Sequence, residues 1–568
     1  MIRVTELRLP LEHPPEALRT ALLQRLQLRE ADLADFTVHK RSPDARKKSA
    51  IQFIYTVDCT LASATLEAQL LQRFAGDPHV KPSPDMRYRL VGEAPADFYA
   101  TPGTGGTRLR PVVIGFGPCG LFAALILAQM GLRPIVLERG KPVRERTKDT
   151  WGLWRQGKLD PGSNVQFGEG GAGTFSDGKL YSQISDPRHL TRKVLAEFVK
   201  AGAPEEISYV SKPHIGTFRL VSMIEKMRAD IQALGGEIRF QQQVTDLRID
   251  TAADGQRQLR GVVLADGSEI ACEHLVLAVG HSARDTFTML HGRGVAMEAK
   301  PFSVGFRIEH PQGVIDRARH GPAAGHPLLG AADYKLVYHA SNGRSVYSFC
   351  MCPGGTVVAA TSEPNRVVTN GMSQYSRNER NANAGIVVGI DPQDYRQDGQ
   401  TDGPVSPLDG FAFQRQWESR AYELGGGDYL APGELVGDFV AGRHGAEIRR
   451  EFGSVQPSYK PGVTLTDLND PARPSLPPYA LEAIREALPA FARQIRGFDM
   501  ADAVLTGVET RTSSPLRINR GRDYQSLNTR GLYPAGEGAG YAGGIMSAGV
   551  DGIEVAEALG RDLLGLAG

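Results

Sequence analysis

The chain has 568 residues, 65 basic and 64 acidic, so a formal charge of +1 supplies no field for recruiting nucleic acid or an anionic membrane. That length implies several domains, and five cysteines, an odd and sparse set, fit a reducing cytoplasm better than a disulfide framework. The first residues lack the apolar run of a signal peptide, and the longest apolar stretch, 121–132, is too short to span a membrane.

Residues 1–94 read as a separate module. Ile2 to Leu9 has strand alternation and Pro15 to Leu28 a helical pattern. Phe36 to His39 and Ser49 to Leu61 form a strand pair, Leu66 to Phe74 is helical, and Arg87 to Val91 is expected as a last strand. The order β-α-β-β-α-β predicts a ferredoxin-like α+β domain. The hairpin between strands two and three carries Lys40, Arg41, Arg46, Lys47 and Lys48 around Asp44. It reads either as a dock for RNA or an acidic partner, or as a solvated tip that blocks edge pairing. The neutral total charge favours the second reading. A glycine- and proline-rich linker is expected over 95–107.

Val112 to Ile114 then runs into Gly115-Phe116-Gly117-Pro118-Cys119-Gly120, an apolar helix, and a second strand ending at Leu137-Glu138-Arg139. Gly115 permits the tight turn, Gly117 lets a pyrophosphate approach the backbone, and Gly120 lets helix pack on strand. The helix N-terminus, starting at Pro118, offers N–H groups and positive dipole to phosphates. Glu138, with Arg139 beside it, can hold a ribose diol and would repel a 2′-phosphate, which favours FAD or NAD over NADP. Gly168 to Gly173 fits the same glycine spacing, but neither a buried strand nor an apolar helix flanks it, so it reads as a loop.

Beyond it, Leu220 to Leu234 is an amphipathic helix, and strands follow at Glu237 to Phe240 and from Val244. A small meander turns at Asp266-Gly267, and the apolar strand Leu275 to Val279 ends at Gly280. More than two hundred residues then intervene before the next glycine-rich signature. They read as an inserted, mostly β domain with one helix at Tyr479 to Ile495. Near the C-terminus, Leu532-Tyr533-Pro534-Ala535-Gly536-Glu537 leads through a glycine-rich turn into a helix from Ile545. Glu537 is placed to bind ribityl hydroxyls. The helix N-terminus at Gly544-Ile545 would stabilise the charge that reduction puts on a flavin.

The glycine turn, the loop Phe167 to Leu180, the strand end Ala278 to Thr286, the segment Phe349 to Gly355 and the signature Tyr533 to Gly544 together resemble the bacterial and plastid FAD-dependent dehydrogenase proteins. The resemblance spans nearly the whole chain. It implies FAD on a glutathione-reductase-like fold, with the substrate domain inserted before the last strand, and names no reaction. The Ser-x-x-Ala-Gln-Gly-Gly loop of fumarate-reductase-type flavoproteins is not present, which argues against succinate chemistry.

The expected architecture is therefore α/β, a Rossmann-like FAD-binding domain with an inserted β-rich substrate domain and the N-terminal module. Its boundaries are 1–94 ferredoxin-like, 95–107 linker, 108–290 FAD-binding, 291–505 inserted, and 506–568 the remainder of the FAD domain. FAD contacts are assigned to Gly115, Gly117, Pro118, Gly120, Glu138 and Arg139 in the first half. Gly170, Gly171, Val244 and Gly280 join them, as do Gly536, Glu537, Gly544 and Ile545 in the second half.

Three residues are catalytic candidates. Lys179 would be a cation near the flavin, or else a solvent-facing loop lysine. Cys350 and Cys352 would share one face of an extended strand, as a redox pair or thiol nucleophile, or simply as core residues. A zinc site lacks further ligands, and no metal is expected. Cys119 should only pack, and His281 should belong to the cofactor's surroundings rather than donate protons. Among Arg511, Arg517, Arg520 and Arg522, some could anchor an anionic substrate.

The expected function is an FAD-dependent oxidoreductase acting on a small molecule, with NAD(P)H or an electron-donor protein as partner and no membrane. The alternatives are an RNA-modifying flavoenzyme that grips nucleic acid through the basic hairpin, and a non-enzymatic electron-transfer protein.

Overall fold

The computed structural model describes residues 1–99, 108–396 and 404–566, so most of the expected linker, 100–107, lies outside the described residues. The N-terminal module contains β1 (Ile2–Pro10), α1 (Ala17–Leu26), β2 (Leu33–Asp44), β3 (Gln52–Leu61), α2 (Ala64–Arg73) and β4 (Val80–Pro82). Its strands lie in the order β2-β3-β1-β4, every neighbour antiparallel. Alternation produces this sheet: Phe53, Tyr55 and Val57 of β3 face the same core as Ile2 and Val4 of β1. Ser63 caps α2, its Oγ accepting from the Leu66 N–H at 3.2 Å.

The last strand lies at 80–82, not at Arg87 to Val91. Pro82 and Pro84 bring no N–H to a ladder and end the pairing. Tyr88, Leu90 and Val91 pack instead on the core of the next domain. The basic hairpin is partly occupied within the chain. Arg41 lies over the rings of Phe53 and Tyr209, 5.0 and 5.4 Å from their centroids, and its backbone N–H bonds the Tyr209 carbonyl. Arg46 pairs with Asp44 at 2.5 Å, while Lys40, Lys47 and Lys48 are exposed.

The second domain contains β5 (Val112–Ile114), α3 (Pro118–Gln129), β6 (Ile135–Glu138), α4 (Val143–Gln156), α5 (Leu190–Lys200), α6 (Thr217–Ala233) and β7 (Glu237–Phe240). The meander β8 (Val244–Thr251), β9 (Arg257–Leu264) and β10 (Glu269–Ala271) follows, then β11 (Leu275–Leu277) and α7 (Arg284–Gly292). The chain next forms β12 (Met297–Ala299), β13 (Phe302–Pro311), α8 (Gln312–His320), β14 (Val337–His339), β15 (Ser345–Ala359), β16 (Thr369–Ser373) and β17 (Asn381–Ile390). After these come α9 (Asp409–Gly425), β18 (Ala431–Leu435), α10 (Val436–Ala441), β19 (Val463–Leu465), α11 (Pro478–Ala492) and β20 (Val504–Glu509). It returns through β21 (Leu516–Ile518), β22 (Leu532–Pro534) and α12 (Ile545–Leu564).

A five-stranded parallel sheet runs β22-β11-β5-β6-β7, so the order reverses between β5 and β11. In open α/β sheets such a reversal leaves a crevice at the carboxyl ends of the strands, where ligands bind. The segment between β11 and β22 contributes an eight-stranded sheet, β14-β15-β17-β13-β20-β18-β19 with β16 against β15. Helix α3 is buried at every position from Cys119 to Ala128, which accounts for the longest apolar run as a core helix. Among the described residues no helix is long and apolar enough to cross a membrane. Helix α12 crosses close to α3 at Gly552, where a Cβ would stand 2.3 Å from the Cys119 carbonyl oxygen.

Candidate cofactor and active site

The glycine turn folds as its sequence predicts. Gly115 has φ +92°, and a Cβ there would meet the Ala278 carbonyl oxygen at 2.4 Å, so β5 and β11 approach only with glycine present. At Gly120 a Cβ would stand 2.0 Å from the Gly115 carbonyl oxygen, inside any tolerable contact. Helix α3 starts at Pro118 with no side-chain cap, leaving its first N–H groups for a ligand.

Glu138 is buried at the end of β6. Its Oε2 accepts from the Phe116 N–H at 2.9 Å, and Oε1 accepts from Gly140 and Gly168 at 2.8 and 3.0 Å. A carboxylate has about four acceptor positions, so one remains on the cavity side. Arg139 lies over the Phe167 ring, 4.1 Å from its centroid, and among the described residues its buried Nε has no hydrogen-bond partner.

The loop after α4 is organised by a residue that the sequence did not single out. The Arg146 guanidinium is fully buried and donates to the carbonyls of Asn164, Val165, Gly168 and Glu169. It also lies 5.0 Å from the Phe175 ring centroid. Burial pushes it down to about 10, opposed by Glu138 and Glu169. The loop wrapped around it brings Gly171 against Gly117, where a Cβ on Gly171 would sit 2.8 Å from the Gly117 Cα. The second glycine match is therefore a loop packed on the first, and Gly170 turns inward beside Thr174 and Ile224.

The C-terminal half-site closes on the same crevice. The Gly536 N–H donates to Asp551 at 2.6 Å, and Arg520 holds the Asp551 carboxylate. A Cβ on Gly538 would stand 2.4 Å from the Gly280 carbonyl oxygen, so the turns after β11 and β22 touch. Helix α12 begins after Gly544, also without a side-chain cap. A Cβ at Gly280 or Gly544 would meet no atom of the described residues within 4 Å.

One cavity of about 380 Å³ joins these parts, a size in the range of cofactor and ligand sites. Gly115, Gly117, Pro118, Glu138 and Arg139 line it, with Gly171, Val244 and Gly280, and with Gly536, Glu537, Gly544 and Ile545 from the far half. Gly120, Gly170 and Cys352 do not line it and act through packing. The eight-stranded sheet supplies the opposite wall with Phe349, Cys350, Thr369, Asn370 and Glu509, and Arg511 just beyond β20 joins them. The donor set fits a dinucleotide: two uncapped helix N-termini, a carboxylate with one acceptor position left, and an unpartnered buried guanidinium nitrogen. Glu138 and Arg139 would hold the adenosine ribose, the start of α3 the pyrophosphate, and Glu537 with the start of α12 the flavin end.

Lys179 is drawn inward rather than exposed. Its Nζ donates to the Met351 carbonyl. Burial alone would lower its pKa, but Cys350, Cys352 and Asp177 raise it. Asp177 in turn pairs with Arg377. The two cysteines do not share one strand face. Pairing shifts from Phe349 opposite Gly385 to Cys352 opposite Asn383, so an extra residue bulges from β15. Cys350 stands in that bulge at φ +42° and faces the cavity, while Cys352 is fully buried behind it.

The remaining polar wall was only partly foreseen. Burial pushes Glu537 up to about 7 against the opposing charge of Lys300. His281 faces the cavity, and burial, aided by Arg511 and Arg284, lowers it to about 3, which leaves it neutral at ordinary pH. Of the four C-terminal arginines, Arg511 alone lines the cavity, and Arg520 is held by Asp551 and Arg517 by Glu298. Arg511 and Arg284 both grip Glu418. Against burial, which would raise it, they hold that carboxyl well below the usual range. Arg511 also donates to Ser282 and Ser362 at 3.1 and 2.7 Å. Cys119 packs under Gly536 at the edge of the cavity.

Fold and site together define an α/β protein built to bind FAD. Residues 301–512 match the family described as FAD-dependent protein, C-terminal domain-like, and residues 1–60 match a domain of unknown function. The chain is 45% identical over 557 residues, 98% of each chain, to an uncharacterized protein of Clostridium beijerinckii, and it belongs to the same family as that protein. FAD is its cofactor. The fold is also similar at low identity to several solved structures. CtdE in complex with FAD is 11% identical, over 80% of this chain and 89% of that one, with a TM-score of 0.29. Glycine oxidase from Geobacillus kaustophilus is 12% identical over 81% and 96%, TM-score 0.31. A flavoprotein/dehydrogenase from Cytophaga hutchinsonii is 11% identical over 81% and 80%, TM-score 0.34.

Proposed function

We propose that the protein is an FAD-dependent oxidoreductase that passes a hydride between a small molecule and flavin N5. The observation that carries this reading is the continuity of the cavity, in which the two halves of the cofactor cradle and the polar wall of the eight-stranded sheet line one space. FAD supplies the hydride acceptor or donor when bound. The chain's own residues do the rest. Lys179 brings positive charge to a half-buried position where reduction would add negative charge. Arg511, held rigid by Glu418, offers a cation to an anionic group on the substrate. The sheet wall excludes bulk water from one side.

In this reading residues 1–94 are a ferredoxin-like domain, 108–290 with 506–568 a glutathione-reductase-like FAD domain, and 291–505 the substrate domain of a cytoplasmic enzyme. The order β2-β3-β1-β4 supports the first assignment, and the return of β22 to the parallel sheet supports the other two. The strand-helix-strand setting of the glycine turn occurs once in the sequence. Electrons therefore enter at the flavin's open face, from the substrate, transiently from NAD(P)H, or from a partner protein.

The test is the purified full chain, which should release one FAD per chain on denaturation. Its absorbance near 450 nm (approximate, set by the free flavin) should bleach anaerobically with a restricted set of small molecules. A protein without bound flavin would overturn the cofactor placement. Equal bleaching by every donor tried would overturn the enzymatic reading in favour of plain electron transfer.

A further inference from the structure

We propose that Cys350 and Cys352 are a dithiol–disulfide couple that exchanges two electrons with the FAD of this site, an inference that rests on the cofactor placement above. The other three cysteines are isolated: Cys59 lies in the core of the N-terminal module, Cys272 in the core beside β11, and Cys119 under Gly536. Cys350 and Cys352 are arranged differently. The extra residue in β15 turns the chain back on itself, so that the Cys352 Sγ donates to the Cys350 carbonyl at 3.3 Å.

Two cations, Arg307 buried and Lys179 half-buried, fix that turn. Arg307 donates to the Cys350 carbonyl at 2.8 Å and is itself clamped by Glu509, Asn383 and Asn370. Lys179 donates to the next carbonyl, that of Met351. A cysteine at φ +42° is a conformation that an L-residue seldom adopts unless its surroundings impose it. The result is one thiol at the cavity wall and a second held directly behind it.

The charges favour a divided pair. The neighbouring Cys352 thiol holds the Cys350 thiol below the ordinary thiol range. Burial opposes that shift, and Lys179 and Arg307 reinforce it. The same proximity, with burial, raises Cys352. Cys350 is thus the more acidic of the two, the one that reacts as thiolate.

The exchange balances without a further reactant. The Cys350 thiolate and the Cys352 thiol form one S–S bond, lose the Cys352 proton and give up two electrons. FAD, when bound, would supply the acceptor for those two electrons and that proton, so the net negative charge would pass from the sulfurs to the cofactor. One negative charge stands beside Lys179 before the exchange and one after it, so the ammonium serves both states. Run in reverse, the same exchange would open the disulfide.

Two measurements on the full FAD-loaded chain decide the matter. Diamide-oxidised protein, denatured and alkylated with iodoacetamide, should carry three carbamidomethyl groups instead of five, with residues 350 and 352 bridged in one peptide. Anaerobic dithionite titration of the same oxidised protein should consume four electrons per chain, against two for Cys352→Ser. Five alkylated thiols in the oxidised wild type would overturn the couple while leaving the FAD site intact, as would uptake of two electrons with a bridge present. The thiol count uses wild-type protein, so a poorly folded variant does not obscure it. A chain that holds no FAD would instead remove the cofactor placement on which the exchange depends.

Discussion

Glu138→Gln tests the accounting at the glycine turn most directly, because it keeps shape and removes only charge and one acceptor. The carboxylate accepts three buried backbone N–H groups, from Phe116, Gly140 and Gly168. Glutamine presents one carbonyl oxygen. Turned toward Gly140 and Gly168, it directs its amide at the Phe116 N–H, donor against donor. One buried N–H left unpaired costs about 1–3 kcal/mol, and losing the charge on the other two bonds costs roughly 1 kcal/mol more. The apoprotein should therefore lose about 2–4 kcal/mol, read as a lower midpoint in a urea titration. FAD affinity should fall separately, by about 1.5 kcal/mol for a ribose hydroxyl bonded to a neutral acceptor instead of a charged one. That is roughly tenfold in Kd by quenching of flavin fluorescence. A variant with unchanged urea midpoint would refute the three-donor geometry. An unchanged Kd with a lowered midpoint would show that Glu138 supports the turn without touching ribose.

Further outcomes follow from the same structure. Gly120→Ala places a Cβ 2.0 Å from the Gly115 carbonyl oxygen. It should cost at least about 1–3 kcal/mol and abolish FAD retention on gel filtration. Arg146→Met leaves the buried carbonyls of Asn164 and Val165 without a donor and takes one from those of Gly168 and Glu169, which keep Gly171 and Thr174. A loss of about 3–5 kcal/mol is expected, with early proteolysis between 160 and 175, and resistance equal to wild type would refute the loop's dependence on that guanidinium. Glu537 titrates near 7 in the folded apoprotein because burial penalises its ionised form. Raised above its unfolded value, it contributes stability that is complete below about pH 4.5 and is lost as pH rises through 7. The difference in urea stability between wild type and Glu537→Gln should accordingly change by about 2.5 kcal/mol between pH 5 and 8, and a flat difference would contradict the burial.

The glycine turn, Glu138 and the Gly536-Glu537 signature were readable from sequence because each rests on backbone geometry within a few adjacent residues. A positive φ or a helix–strand contact inside the tolerance of a Cβ leaves glycine as the only residue that fits, and Gly115 and Gly120 meet those conditions. The polar wall was not readable in the same way. Arg307 reaches Glu509 across 202 positions, and Arg284 and Arg511 meet at Glu418 from opposite sides of the insertion. Nothing local in the sequence marks such partners, since any arginine can end on the surface. The cysteines show the limit most sharply. Two residues apart on a regular strand they would point one way, and only the bulge, fixed by a lysine and an arginine from other elements, separates the cavity thiol from the buried one. The glycine turns proposed to hold FAD are thus encoded locally, whereas the wall proposed to face the substrate is assembled from distant positions. Substitutions on the sheet wall can therefore change the reaction without disturbing the FAD cradle, and Asn370, Glu509 and Arg511 are the positions where such changes should appear first.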